Sequence, residues 1–192
     1  MTAPQLNQAR IAVLSMDLQA GIVSIYTKDD KESFLVRVSS VLEWARSNKF
    51  TVIHVRIGFR PGLPEVSTRN PLMAAIKESS QHQQLFQGPT GEIHPTVSPL
   101  PEEIVVVKHR VSAFFGTDLD MILRANEIDT LILLGIATSG VVLSTALEAS
   151  DREYRIFVVS DCCADLDPEL HSALLEKFLP KRATVLKAAD LI

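Results

Sequence analysis

The sequence predicts an α/β fold: a parallel sheet with helices on both faces. Three observations carry that prediction. Six short apolar runs recur along the chain, they are continuous rather than alternating, and helical patterns separate them. Continuous apolar runs are what parallel strands buried on both faces require. Regular alternation of strand and helix is the pattern of layered α/β domains.

The runs are Ile11–Met16, Thr51–Val55, Ile104–Val107, Thr130–Leu134 and Arg155–Val159, with a shorter one at Thr184–Leu186. Between the first two, Phe34, Leu35, Val38, Val41, Leu42 and Ala45 repeat at helical spacing and form one apolar stripe. Thr117 is expected to cap a helix carrying Leu119, Ile122 and Leu123. Asp167 followed by Pro168 is a helix start, continued by Leu170, Leu174, Leu175 and Phe178. Thr130–Leu147 carries no formal charge, yet its Gly135, Thr138, Ser139, Gly140, Ser144 and Thr145 predict a buried strand, a tight turn and a helix rather than a membrane span. The polar Met1–Arg10 stretch has no apolar signal core.

The segment from Gly58 to Pro101 differs from the rest. It holds seven of the ten prolines and four of the eight glycines, with one short helix expected around Leu72–Glu78. So long a stretch without a strong pattern is usually functional or mobile. Because the next residues supply another strand of the same sheet, the chain is expected to be a single domain over residues 1–192.

Composition narrows the function. With 46% hydrophobic and 22% charged residues over 192 positions, the chain can build a substantial core, which excludes wholesale disorder. Nineteen Lys and Arg against 23 Asp and Glu leave a formal net charge of −4, so nucleic-acid binding has no electrostatic support. The only two cysteines, Cys162 and Cys163, are adjacent and cannot build a disulfide framework. Free thiols point to a reducing compartment, so a soluble cytoplasmic protein is expected.

In doubly wound sheets, ligands bind beyond the carboxyl ends of the strands, near the point where strand order reverses. Asp17 follows the first run, Lys108 the third, Gly135–Val142 the fourth, and Ser160–Asp165 the fifth. An acid and an amine ending buried strands can share one pocket, the amine lowering the acid's pKa and burial raising it. A simple ion pair is the structural alternative. The Gly135–Val142 turn offers backbone N–H groups at a helix start, which favours anions. Val141 and Val142 stand where a P-loop needs Lys and Ser or Thr, and no GxGxxG follows any strand, so nucleotide binding is weakly supported.

Three blocks together resemble the isochorismatase-like (cysteine hydrolase) superfamily over nearly the whole chain. They are Asp17-Leu18-Gln19; Lys108 followed by Ser112-Ala113-Phe114-Phe115-Gly116-Thr117-Asp118-Leu119; and Gly135-Ile136-Ala137-Thr138-Ser139-Gly140-Val141-Val142 running into Leu143–Ala149. The resemblance implies a three-layer α-β-α, Rossmann-like fold with a six-stranded parallel sheet of order 3-2-1-4-5-6. It implies an Asp–Lys–Cys triad in most members, of which Asp17 and Lys108 match the first two. The third position is Val141, whose side chain cannot attack a carbonyl. True isochorismatases also lack the thiol, place glycine there, and cleave a vinyl ether with the aspartate as acid. The resemblance further implies a cis peptide at Ile136–Ala137 that aims the Ala137 and Val141 N–H groups into the pocket, and a homo-oligomer.

The expected function is therefore hydrolysis of a small metabolite, with an anionic one among the candidates, without a cysteine nucleophile. Asp17 is the expected acid or base, with Lys108 orienting it. Ala137, Val141, Gly140, Phe114 and Arg60 are expected to bind the substrate or its developing charge, with Arg56 and Arg69 as further border residues. Ser139 and Ser144 are read as caps. No cofactor and no metal are expected, because His54 lies inside an apolar strand and is read as a core histidine. Two other readings stay open: a non-catalytic ligand-binding or oligomeric scaffold, and a cysteine hydrolase using Cys162 or Cys163.

Overall fold

The computed structural model describes residues 10–192, so all of the Met1–Arg10 stretch except Arg10 lies outside the described residues. The chain runs β1 (Ile11–Met16), α1 (Ala20–Tyr26), α2 (Lys31–Ser47), β2 (Thr51–Ile57), α3 (Pro71–Glu78), α4 (Ser80–Gln84), α5 (Gly88–Gly91), β3 (Ile104–Lys108), α6 (Leu119–Ala125), β4 (Thr130–Ile136), α7 (Leu143–Asp151), β5 (Arg155–Ala164), α8 (Pro168–Ala173) and β6 (Thr184–Leu186). The six strands form one parallel sheet in the order β3-β2-β1-β4-β5-β6. Strand order reverses between β1 and β4, which puts the switch point at the end of β1.

Side chains alternate between the two faces of each strand. Ile11 and Val13 of β1, with Ile132 and Leu134 of β4, pack on the Phe34, Leu35, Val38, Val41, Leu42 and Ala45 stripe of α2. Ala12, Leu14, Met16, Leu131 and Leu133 pack on the other side against Leu119 and Leu123 of α6 and Ala146 and Ala149 of α7. The central strands β1 and β4 are buried along their whole length, which is why their sequences read as unbroken apolar runs. The outer strand β3 departs from that pattern. Val105 and Val107 are each 41% exposed, because an edge strand is left with one face partly open.

Three local expectations need correction. The N-cap of α6 is Asp118, not Thr117. The Thr117 hydroxyl instead donates to the Ala113 carbonyl (2.6 Å) and accepts from the Leu119 N–H (3.3 Å), tying the preceding turn together. The fifth strand does not end at Val159. The ladder between β4 and β5 shifts register between Leu133 and Gly135, and β5 then continues through Ser160, Asp161, Cys162 and Cys163 to Ala164. The cysteines therefore lie within the strand, facing opposite sides. The segment after β2 is also more ordered than its composition suggests. It folds into α3, α4 and α5 over a small core of Leu63, Val66, Met73 and Ile76, with Phe59 and Phe86 packed against it. By contrast, the Asp167–Pro168 start holds as expected: the Asp167 carboxylate accepts the N–H groups of Glu169 and Leu170 at 3.0 Å. Among the described residues, no helix is long and apolar enough to cross a membrane.

Candidate active site

β1 ends with a sharp change of backbone direction. Asp17 takes a left-handed conformation (φ 53°), one that aspartate tolerates better than most residues, and its N–H donates to the Val55 carbonyl at 2.8 Å. Such an outlier at the switch point of a doubly wound sheet marks a place to look for function. Directly across the ladder from Met16 is Gly135 (φ 143°). A Cβ there would lie 2.1 Å from the Met16 carbonyl oxygen, so only glycine lets β4 come this close to β1. The Ile136–Ala137 peptide that follows is cis. The chain then makes one irregular turn, Thr138–Val142, before α7.

This local geometry brings Asp17 against Lys108 at the end of β3. Lys108 Nζ donates to Asp17 Oδ2 at 2.8 Å and to the Arg110 carbonyl at 3.0 Å, and both side chains are buried. The other carboxylate oxygen, Oδ1, is buried and has no hydrogen-bond partner. Burial raises the Asp17 pKa, and the opposing pull of the Lys108 charge and hydrogen bond does not cancel that rise.

A cavity of about 780 Å³ opens over this pair, within the size range of small-molecule sites. Asp17, Lys108, Ile136, Ala137, Ser139, Gly140, Val141 and Ser144 all line it. Gly140 contributes surface rather than a donor, because its N–H is given to the Ala137 carbonyl (3.1 Å). The two serines do not cap α7: Ser139 donates its backbone N–H to Asp165 Oδ2 at 2.7 Å, and both face the cavity.

Two expected binding residues are elsewhere. Phe114 is turned into the α6–α7 layer, where it stacks on Tyr154 (6.0 Å between centroids) under the Arg152 guanidinium (4.9 Å). The reason is local: Ser112 donates to Glu148 Oε2 (2.6 Å) and Thr145 Oγ1 accepts the Ala113 N–H (3.0 Å), so this block is a packing element. Arg60 is turned outward onto Glu65 (3.0 Å). Arg56 is held by the Gly91 carbonyl and Glu92, and Arg69 lies against Ser67; neither lines the cavity. Cys162 and Cys163 are buried in the cores on opposite sides of the sheet and do not line it either. Burial pushes both thiols up, that of Cys163 to about 12.

Sequence reasoning missed two contributions. Gln19 is fully buried and acts as a clamp: Nε2 donates to the carbonyls of Ile57 (3.0 Å) and Gly91 (2.7 Å), and Oε1 accepts the Ile57 N–H (2.9 Å). It ties the first strand end to the far end of the α3–α5 segment. Its only sequence signal was its place beside Asp17. The second is the apolar lining from that segment: its composition marked it as functional or mobile and pointed to its arginines, whereas Met73, Ile76, Leu85 and Phe86 are the residues that line the cavity.

A six-stranded doubly wound sheet with a cavity at its switch point defines an α/β protein of the class whose ligand sites lie at the carboxyl ends of the strands. Residues 11–190 match the isochorismatase domain. The chain belongs to the isochorismatase family. It is 29% identical over 188 residues to an isochorismatase family protein of Bacillus subtilis strain 168, covering 94% of this chain and 92% of that one. It is also 29% identical over 202 residues to a ureidoacrylate amidohydrolase of Agrobacterium fabrum strain C58, covering 94% and 89%. An isochorismatase family protein from Burkholderia thailandensis superposes with a TM-score of 0.86 at 29% identity, over 99% of this chain and 97% of that one.

Proposed function

We propose that this chain hydrolyses a small metabolite at an amide or vinyl-ether bond without a cysteine nucleophile, with Asp17 as acid and base and Lys108 as the group that orients it. The observation that carries this reading is the asymmetry of the Asp17 carboxylate. Lys108 holds one oxygen at 2.8 Å, and the other is unpartnered beneath the cavity. A raised pKa suits a group that must both give and take a proton near its working pH.

For an amide, the sequence of events is simple. Ionised Asp17 takes a proton from water as the water oxygen bonds to the carbonyl carbon. The carbonyl oxygen gains negative charge, which in this reading the backbone N–H groups of Ala137 and Val141, both lining residues, receive. Asp17 then returns the proton to the leaving nitrogen as the C–N bond breaks. The amidohydrolase among the relatives supports an amide as the bond cut.

Assaying a panel of small amides and vinyl ethers with Asp17→Asn and Lys108→Ala tests the assignment. Both variants are expected to lose roughly 100-fold or more in turnover; unchanged turnover in both removes it. A Cys162→Ala, Cys163→Ala double variant is expected to stay active. Loss of its activity in a folded protein transfers the chemistry to a thiol. Val141, which lines the cavity where the resemblance implies a thiol and carries no nucleophile, favours the scaffold as the second reading. That reading predicts ligand-dependent stabilisation with no turnover of any panel member.

A further inference from the structure

We infer, resting on the hydrolase reading above for the bond that is cut, that the cavity takes an uncharged amide or ether with an apolar tail, and rejects carboxylate-bearing analogues. Ile22, Met73, Ile76, Leu85, Phe86 and Val111 are among the apolar side chains that line it. Among the described lining residues the only Lys or Arg is Lys108, and its charge is already matched by Asp17 at 2.8 Å.

The nearby guanidinium groups are committed elsewhere. Arg60 pairs with Glu65; Arg110 donates to the carbonyls of His109 (2.6 Å) and Glu65 (2.8 Å); Arg56 is held by the Gly91 carbonyl and Glu92. A second carboxylate entering the cavity would therefore meet the Asp17 carboxylate without a cation of its own. A buried anion left without a partner is strongly disfavoured. The remaining polar groups of the lining, among them Tyr26, Gln81, Ser139 and Ser144, can hydrogen-bond a neutral amide or ether but cannot neutralise an anion. His82 also lines the cavity, and its Nδ1 is turned to the Ala75 carbonyl at 3.1 Å. The sequence-based expectation of an anionic substrate rested on the loop arginines Arg60 and Arg69, neither of which lines the cavity: Arg60 pairs with Glu65 and Arg69 lies against Ser67.

Hexanamide and 5-carbamoylpentanoate share a chain length and a terminal amide, and differ in whether the far end is a methyl or a carboxylate. Binding of each to the full chain is measured by calorimetry and by thermal stabilisation at pH 8. Hexanamide is expected to bind at least about tenfold more tightly, as like-charge juxtaposition predicts. Leu72 lines the cavity and is 54% exposed, so Leu72→Arg can be made without disturbing the core. That variant is expected to shift the preference about tenfold toward 5-carbamoylpentanoate. Equal or tighter binding of 5-carbamoylpentanoate by the unaltered chain overturns the inference, and so does failure of both compounds to bind. Tight, selective binding of hexanamide supports the ligand chemistry whether or not any member of the amide and vinyl-ether panel is turned over, and absence of turnover across that panel removes the hydrolase reading alone, so the two fail separately.

Discussion

Asp17 and Glu103 are both carboxylates withdrawn from water beside a basic side chain, yet their environments push them in opposite directions. Asp17 follows the carboxyl end of β1 and meets one cation through one oxygen; its second oxygen has no partner. Glu103 precedes the amino end of β3 and uses both oxygens. Arg46 donates to Oε1 through Nε (2.8 Å) and to Oε2 through Nη2 (2.9 Å), the Leu100 N–H donates to Oε2 (2.8 Å), and His54 Nε2 sits 3.0 Å from that same oxygen. Burial acts to raise both acids. At Glu103 the donors overcome it and the pKa falls; at Asp17 the Lys108 ammonium, even with the nearby Ile57 backbone N–H, does not, and the pKa rises. Burial and a nearby cation are common to the two acids; on the proposed assignment, Asp17 is the reactive one because its second oxygen is untaken and the residue lines the cavity.

The largest effect expected from this contrast is on turnover. Asp17→Asn should lower kcat by roughly 10²–10⁴-fold, the range for a lost general acid–base. Glu103→Gln should leave kcat within about twofold, because its site lies at the other end of the strands and an uninvolved acid has no place in the transition state. Steady-state rates on one substrate, with folding checked by circular dichroism, separate the two. Equal losses would break the comparison.

Next comes the stability of the Asp17–Lys108 pair. Lys108→Met leaves a buried carboxylate without its cation and should cost about 3–5 kcal/mol in urea unfolding. Adding Asp17→Asn should recover most of that loss, since both partners are then neutral. A double variant as unstable as the single one would mean that the pair is not coupled.

The fold was legible because buried parallel strands write themselves as apolar runs. Ile11–Met16 and Thr184–Leu186 coincide with β1 and β6 residue for residue. Asp17 and Lys108 were legible for the same reason, as charges that end such runs. β5 was cut short because its continuation passes through Ser160 and Asp161, and a register shift, not hydrophobicity, carries it back into the ladder. Arg60 and Phe114 were misplaced because a side chain's direction depends on partners that the local pattern does not name. The Glu103 cluster was invisible altogether. Its partners Arg46 and His54 lie 57 and 49 residues away in sequence, and only the fold joins them.

The pH dependence of stability carries the contrast further at smaller amplitude. Glu103→Gln should cost about 2 kcal/mol near neutrality, as loss of charge-assisted hydrogen bonds does. Because the folded pKa of Glu103 lies below its ordinary value of 4.5, its stabilisation is complete above that value. It is lost as pH falls through the folded pKa, so the gap between the unaltered chain and Glu103→Gln should close on acidification. Asp17 has the opposite sign. Its folded pKa lies above the ordinary 3.8, so its contribution is most favourable below 3.8 and declines as pH rises through the folded value. Urea midpoints across the acid range measure both slopes. Parallel slopes for the two variants would remove the distinction.

The smallest structural change probes the unpartnered oxygen most directly. Val141 is 2% exposed and lines the cavity with Asp17. Val141→Cys removes little volume and should cost about 1 kcal/mol or less, as conservative core truncations do. Thiolate formation needs a base or a cation nearby. Lys108 is already matched, so the base must be Asp17. Iodoacetamide should therefore label the native variant at position 141, read by peptide mass spectrometry. Cys162 and Cys163, buried away from the cavity with raised pKa values, should stay unlabelled. Adding Asp17→Asn should slow that labelling by roughly tenfold, and adding Glu103→Gln should not change it. Equal rates in all three proteins would mean that the free oxygen of Asp17 gives it no reactivity that the satisfied Glu103 lacks.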